Sequence, residues 1–185
     1  MHKLAAVFVL LASPALATGL QIEVEGEGAN GTITIDLFDD VAPKHVEQIS
    51  ALATEGQYDG VVFHRVIEGF MAQTGDVEFG DQSAENFNIN NAGRGGSARA
   101  DLPAEFSDVT FDRGVVGMAR SQDPNSANSQ FFIMFEPGPF LDGQYTVVGQ
   151  VTEGMDVVDA IKRGEGQNGA VVGQPDVMKK VTVTE

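Results

Sequence analysis

The sequence predicts a mainly β domain: about eight strands in a closed or nearly closed antiparallel barrel, with one helix early and one late to plug its ends. Three observations predict it. Short runs rich in Val, Ile, Thr and Phe recur along the chain, each bounded by turn residues. The 22 glycines supply those turns. Two stretches, and no more, carry apolar residues at helical spacing. The 185 residues suffice for one domain with a sizeable core, and no repeat, linker or second domain interrupts them.

Met1 to Ala17 stands apart from this fold. Lys3 is followed by the apolar run Leu4–Ala12, Ser13-Pro14 breaks it, and Ala15-Leu16-Ala17 is an A-x-A cleavage site. This reads as a secretory signal peptide, removed after Ala17, and places the mature chain (18–185) in a bacterial periplasm. The apolar run falls short of the ~20 residues a membrane span needs, so no membrane insertion of the mature chain is expected.

Taken in order, Gln21–Glu25 alternates around Ile22 and Val24, and Glu27–Gly31 is a turn. Thr32–Phe38 then points Ile33, Ile35 and Leu37 inward and Thr32, Thr34 and Asp36 outward, closing a hairpin. Asp39-Asp40 offers caps and Pro43 suits a first helical turn. Val46, Ile49, Leu52 and Ala53 form the apolar stripe of a helix from Pro43 to Glu55, ended by Gly56, with His45 on its polar, surface side. Val61–Ile67 reads as a strand, Glu68-Gly69 as a turn, and Phe70–Gln73 as the strand after it. Regular alternation puts Phe63, Arg65 and Ile67 on one face and His64 and Val66 on the other.

Phe79–Arg99 is polar and Gly-rich and reads as a long surface loop. It has no G-x-x-x-x-G-K-[ST] and no strand-to-helix context, so a phosphate site is not expected. Gly114–Ala119, Gln130–Phe135 and Tyr145–Val151 are strands, with Phe131 and Phe132 facing opposite ways. Met155, Val158 and Ile161 mark a second helix within Glu153–Arg163, stopped by Gly164. A loop, Gly164–Gln174, leads to the last strand, Val177–Thr184.

Composition removes several function classes. The formal charge of −16 becomes −17 once Lys3 leaves with the leader, which argues against nucleic acid and anionic membranes as partners. There is no cysteine, and the mature chain keeps His45 and His64 alone, without ligand spacing, so no metal or cofactor is expected. A serine hydrolase would need G-x-S-x-G, which is missing. One residue does demand an explanation. Arg65 sits in the middle of an apolar strand, so it either pairs with a carboxylate or presents its guanidinium to a ligand.

Phe63–Asp76 reads F-H-R-V-I-E-G-F-M-A-Q-T-G-D. Two further blocks follow: Gly117-Met118-Ala119-Arg120-Ser121 with Asn128–Ile133, and Phe140-Leu141-Asp142-Gly143 with Tyr145–Gly149. In composition, order and spacing these resemble the cyclophilin-type peptidyl-prolyl cis-trans isomerases, over Gln21–Glu185. The resemblance implies a closed eight-stranded antiparallel β-barrel capped by two α-helices. It implies catalysis of cis/trans isomerisation of X-Pro bonds in proline-containing peptides and in unfolded or partly folded exported proteins, by a monomer.

By the same resemblance Arg65 is catalytic, donating to the prolyl nitrogen. Phe70, Met71, Phe132 and Leu141 form the proline pocket, and Gln73 orients Arg65. Gln130 and the backbone of Ala119 and Arg120 bind substrate main chain, Phe140 and Tyr145 form the rim, and His64 has at most a minor role as a satisfied, semi-buried histidine. Glu68, Thr74, Arg120, Phe140 and Tyr145 depart from residues common in the family. Phe140 in place of a tryptophan implies weak inhibition by cyclosporin. The rival reading is a cyclophilin-like chaperone that binds proline-containing segments without turnover.

Overall fold

The computed structural model describes residues 18–85 and 87–184, so the expected leader lies outside the described residues. β1 (Gly19–Glu25) and β2 (Gly31–Leu37) form the expected antiparallel hairpin, with Ile22 opposite Ile33. Leu20, Ile22, Val24, Ile33, Ile35 and Leu37 are all buried, as their alternation requires. After α1 (Pro43–Thr54) come β3 (Val61–Val62), β4 (Arg65–Ile67) and β5 (Met71–Thr74). β6 (Val115–Met118), β7 (Phe131–Met134), β8 (Val147–Glu153), α2 (Met155–Ala160) and β9 (Val177–Thr184) complete the chain.

All nine strands join one antiparallel sheet in the order β3-β9-β1-β2-β8-β6-β7-β5-β4. The expectation of eight strands fully closed differs from this in one detail. Val61–Ile67 is not one strand but two, and they are the two edges of the curled sheet. Phe63 and His64 join them. The Phe63 amide donates to Asp176 O and the His64 carbonyl accepts from Val171 N, so this dipeptide bonds to the segment leading into β9. The half-barrel is therefore closed by chain connectivity.

The break also resets the alternation. Phe63 and Val66, three residues apart, are both fully buried in the main core, while Arg65 and Ile67 face the other way. Phe63 does not share a face with Arg65, because a bend between strands shifts the pleat that a regular strand would keep.

α1 starts at Pro43 as the sequence predicts, but neither Asp39 nor Asp40 caps it; no side chain of the N-cap residue, Ala42, does so either. Glu105, distant in sequence, accepts from the Lys44 and His45 amides at 3.3 and 3.2 Å. Its carboxylate also meets His45 Nδ1 at 2.6 Å. His45 is thus buried under the segment carrying Glu105 and is not on the surface, a correction that local periodicity could not supply. α1 packs on β9 and α2 on β2.

α2 is shorter than predicted. Glu153 still belongs to β8, where it pairs with Thr34 of β2, Gly154 turns the chain at φ 85°, and Ile161 has already left the helical conformation. A side chain at Gly154 would meet Thr32 O at 2.2 Å, so this turn needs glycine on both counts. Tyr145 ends a turn after Leu141 and precedes β8.

Beside the main core, a second buried cluster of Met71, Phe111, Val115, Phe132, Met134, Leu141 and Val147 lies outside the barrel interior. Phe131 belongs to the first cluster and Phe132 to the second, so these neighbours do face opposite ways.

Candidate functional site

Four strands carry one row of residues across the outer face of the sheet. Arg65 on β4 stands opposite Gln73 on β5, Gln73 opposite Phe132 on β7, and Phe132 opposite Gly117 on β6. The β4–β5 connection turns through Gly69 at φ 68°, with the Phe70 amide donating to Ile67 O at 3.0 Å. Gly117 leaves space in that row. A Cβ there would lie 2.6 Å from both Phe111 and Phe132, whose rings stack with centroids 5.8 Å apart. Phe132 is held edge-on by Tyr145 at 6.0 Å, and Phe70 packs on Phe140 at 5.5 Å.

The guanidinium of Arg65 has no carboxylate partner among the described residues. The salt-bridge alternative for this residue therefore falls. Nη1 donates to Gln73 Oε1 at 3.0 Å, Nε to Asn168 O at 3.0 Å and Nη2 to Asn168 Oδ1 at 3.2 Å. Nη1 also lies 4.0 Å from Met71 Sδ. A guanidinium has about five N–H donors. Those contacts leave at least one aimed at no protein acceptor. Burial pulls the Arg65 pKa down, against the pull of the Tyr145 phenol. Arginine starts so high that it keeps its charge at neutral pH.

Gln73 passes the polarity on. Its Nε2 donates to Gln130 Oε1 at 2.9 Å, and Gln130 Nε2 donates to Gly95 O at 2.8 Å. Every link in this relay runs away from Arg65, which fixes both amide orientations and keeps the Gln73 carbonyl toward the guanidinium.

The row borders a cavity of about 380 Å³. Arg65, Phe70, Met71, Gln73, Ala119, Arg120, Phe132, Phe140, Leu141 and Tyr145 all line it, so ten residues proposed from the sequence meet in one place. Gln144, which the sequence reading missed, lines it as well. Met71, Phe132 and Leu141 form a buried floor, and Phe140, 62% exposed, stands at the rim. Arg120 stacks its guanidinium 4.3 Å from the Tyr145 ring centre and donates to Gln144 O and Ser121 O. The Ala119 amide is engaged by Gln130 O at 2.9 Å. Gln130 itself lines an adjoining cavity of about 230 Å³ that shares Gln73, Ala119 and Arg120 with the first. A third cavity, about 570 Å³, lies along Arg65 and Gln73 and is walled by the 89–94 and 166–173 segments.

His64 departs from expectation. It is buried, not semi-buried; among the described residues its nearest polar neighbours are the Val62 backbone and the Gln130 side chain, and neither meets a ring nitrogen with normal hydrogen-bond geometry. Burial pushes its pKa down to about 4, against the opposing charge of Asp76, so the ring is neutral at pH 7. It packs against Gly93, where a Cβ would come within 2.9 Å of the imidazole.

Asn168 is the other residue that sequence reasoning missed. The Asn168-Gly169 pair signals a turn, and Asn168 takes the left-handed conformation at φ 56° that asparagine tolerates. No local pattern could place that turn against Arg65, 103 positions away.

The assembly combines a fixed cationic donor, a relay that orients it and an apolar recess directly beside it. Its geometry suits presenting a charged N–H to the edge of a compact apolar group seated in that recess.

Known proteins resemble this chain along most of its length. The family model described as cyclophilin type peptidyl-prolyl cis-trans isomerase/CLD matches residues 20–183. A probable peptidyl-prolyl cis-trans isomerase of Brucella suis is 56% identical over 184 residues, covering 97% of this chain and 93% of the relative. Peptidyl-prolyl cis-trans isomerase-like 1 of Aspergillus oryzae is 36% identical over 146 residues, 74% of this chain and 79% of its own. Among solved structures, a cyclophilin-type isomerase of Cryptosporidium parvum superposes with a TM-score of 0.75 over 92% of this chain and 99% of its own, at 24% identity. That protein was also solved in the presence of the dipeptide Ala-Pro, with a TM-score of 0.72 over 90% of this chain and 99% of its own.

Proposed function

Because this chain belongs to the cyclophilin-type peptidyl-prolyl cis-trans isomerase family, we propose that Arg65 carries its isomerisation of X-Pro bonds by donating a hydrogen bond to the prolyl nitrogen. The X-Pro bond turns slowly because its amide is resonance-stabilised, with a barrier of roughly 20 kcal/mol. A hydrogen bond to the nitrogen localises its lone pair and weakens the C–N double-bond character. That bond strengthens as the amide twists, so it favours the transition state over both planar states. No atom is transferred.

The observation that carries this reading is the state of Arg65: charged, oriented by Gln73 and Asn168, unpaired with any carboxylate among the described residues, and beside the 380 Å³ recess. In this reading Phe132, Met71 and Leu141 hold the proline ring, with Phe70 and Phe140 closing one side.

The clients are exported proteins. What supports this is the Lys3, Leu4–Ala12, Ala15-Leu16-Ala17 leader, which sends the mature chain to the periplasm. Slow prolyl bonds limit the folding of such proteins after translocation.

The test is exchange spectroscopy by NMR on an Ala-Pro peptide, which reports binding and isomerisation in one sample. Wild-type protein should speed exchange, and Arg65→Ala should lower it by about two to three powers of ten with much smaller loss of peptide affinity. Binding without exchange in the wild type would identify a peptide-holding protein. Near-normal exchange with Arg65→Ala would remove this residue from the mechanism.

A further inference from the structure

The chain's six arginines, all within the described residues, divide into two groups. Arg99, Arg113 and Arg163 each pair with a carboxylate, on Glu55, Asp159 and Glu68. Arg65, Arg94 and Arg120 pair with none, and these three border the candidate groove. Arg65 gives some of its five N–H groups to Gln73 and Asn168, and Arg120 gives some of its own to the backbone carbonyls of Ser121 and Gln144, so both keep charge and donors for a ligand. The exposed guanidinium of Arg94 has no hydrogen-bond partner among the described residues. The acids are distributed in the opposite way. The sequence holds 27 Asp and Glu, yet none among the described residues lines any of the three contiguous cavities.

We propose that this groove selects acidic substrates, taking X-Pro segments that carry an Asp or Glu side chain close to the proline, with Arg94 and Arg120 as the residues that read the carboxylate. The inference rests on the isomerase reading above and adds a substrate class to it. Arg94 lines the cavities of about 230 and 570 Å³, Arg120 lines those of about 230 and 380 Å³, and Gln73 lines all three. Whichever of the three cavities a carboxylate near the proline enters, Arg94 or Arg120 lines it.

Two charge effects compete here. The net charge of −16 repels an acidic peptide at long range, while the arginines attract it at contact. Salt screens the first far more than the second, because the Debye length is only about 8 Å near 0.15 M. At physiological ionic strength the local arginines decide. A basic peptide is drawn to the rest of the surface and is opposed at the groove itself. Substrate selection is then the reverse of what net charge alone dictates.

The test uses blocked peptides built on Ala-Ala-Pro-Phe, with Ala, Glu or Lys placed in turn at each of the two positions before and the two after the proline. Exchange spectroscopy at 25 °C in about 0.15 M salt gives turnover, and shift titration of the same samples gives Kd. At one position or more, Glu should beat Lys by about fivefold or more in kcat/KM or in affinity. Arg94→Glu should abolish or invert that ratio. Lys179→Glu, an identical charge change on β9 outside the three cavities, should leave it in place. A flat series, a preference for Lys at every position, or an equal response to both variants would overturn the inference. Exchange of the Ala peptide reports the isomerase separately. If no peptide exchanges, that reading fails, and the Kd ratios still decide the charge preference.

Discussion

At the scale of single residues, the proposed chemistry turns on Arg65, a cation with no counter-ion among the described residues. Arg65 keeps three normal hydrogen bonds to Gln73 and Asn168 that require a planar fork. Lysine has the charge but not the fork, so Arg65→Lys should lose nearly as much turnover as Arg65→Ala, with little change in melting temperature. Recovery of most of the rate by lysine would mean that charge alone suffices. His64 supplies a different kind of test. Its pKa is about 4 in the folded chain and ordinarily 6.5. As pH falls below 6.5 the unfolded chain takes up a proton that the folded chain refuses until about 4. Stability is therefore full above that window and declines through it, by up to about 3 kcal/mol. His64→Leu should flatten the melting temperature between pH 6.5 and 4 relative to wild type. Parallel pH profiles for the two proteins would show that the imidazole does not carry this dependence.

Among elements, helices and strands were legible in the sequence where their signals are local. The β1–β2 hairpin follows from alternation, and α1 begins at Pro43 and stops before Gly56 as the residues indicate. What failed is non-local. The sequence offers Asp39 and Asp40 as caps, yet Glu105 does that work from the other side of a long loop and buries His45 in the process. Burial pushes the Glu105 carboxyl up, but the hydrogen bonds from His45 and Lys44 outweigh it and hold the group below the ordinary carboxylate range. Glu105→Ala should therefore cost about 2 kcal/mol, roughly 4–8 °C in melting temperature for a domain of this size. Glu105→Gln should keep most of that, since its carbonyl can still accept. Asp40→Ala should cost nothing measurable. Thermal melts of the three variants decide the matter, and an equal loss in Asp40→Ala would return the cap to the local sequence. The candidate site divides in the same way. Its ten cavity residues lie in blocks whose resemblance to a family could be read directly. Asn168 and Arg94 belong to loops whose approach to Arg65 only the folded chain reveals.

For the molecule as a whole, the sheet order sets where the chain can be cut. β1 is an interior strand, paired with β2 along one edge and with β9 along the other, and β9 ends the described chain. Gly19 already pairs with Asp36 and with Thr184, and Thr18 O accepts from Leu37 N at 2.9 Å. A mature chain that starts at Thr18 keeps every one of these bonds. Removing even the next few residues opens the sheet between β2 and β9, where Leu20 and Ile22 also fill the core. The cleavage expected after Ala17 therefore falls at the last position that leaves the barrel whole. N-terminal sequencing of the periplasmic fraction from the native host should read Thr-Gly-Leu-Gln. A recombinant chain from Thr18 should melt at one temperature regardless of reductant, because the sequence holds no cysteine. A chain from Glu23 should not fold, since loss of an interior strand exposes two ladders and a row of apolar side chains at once. If it melted cooperatively near the temperature of the longer form, the sheet would not depend on β1 as the interior strand between β2 and β9. An intact Met1 on protein from the host would remove the export assignment while leaving the isomerase untouched.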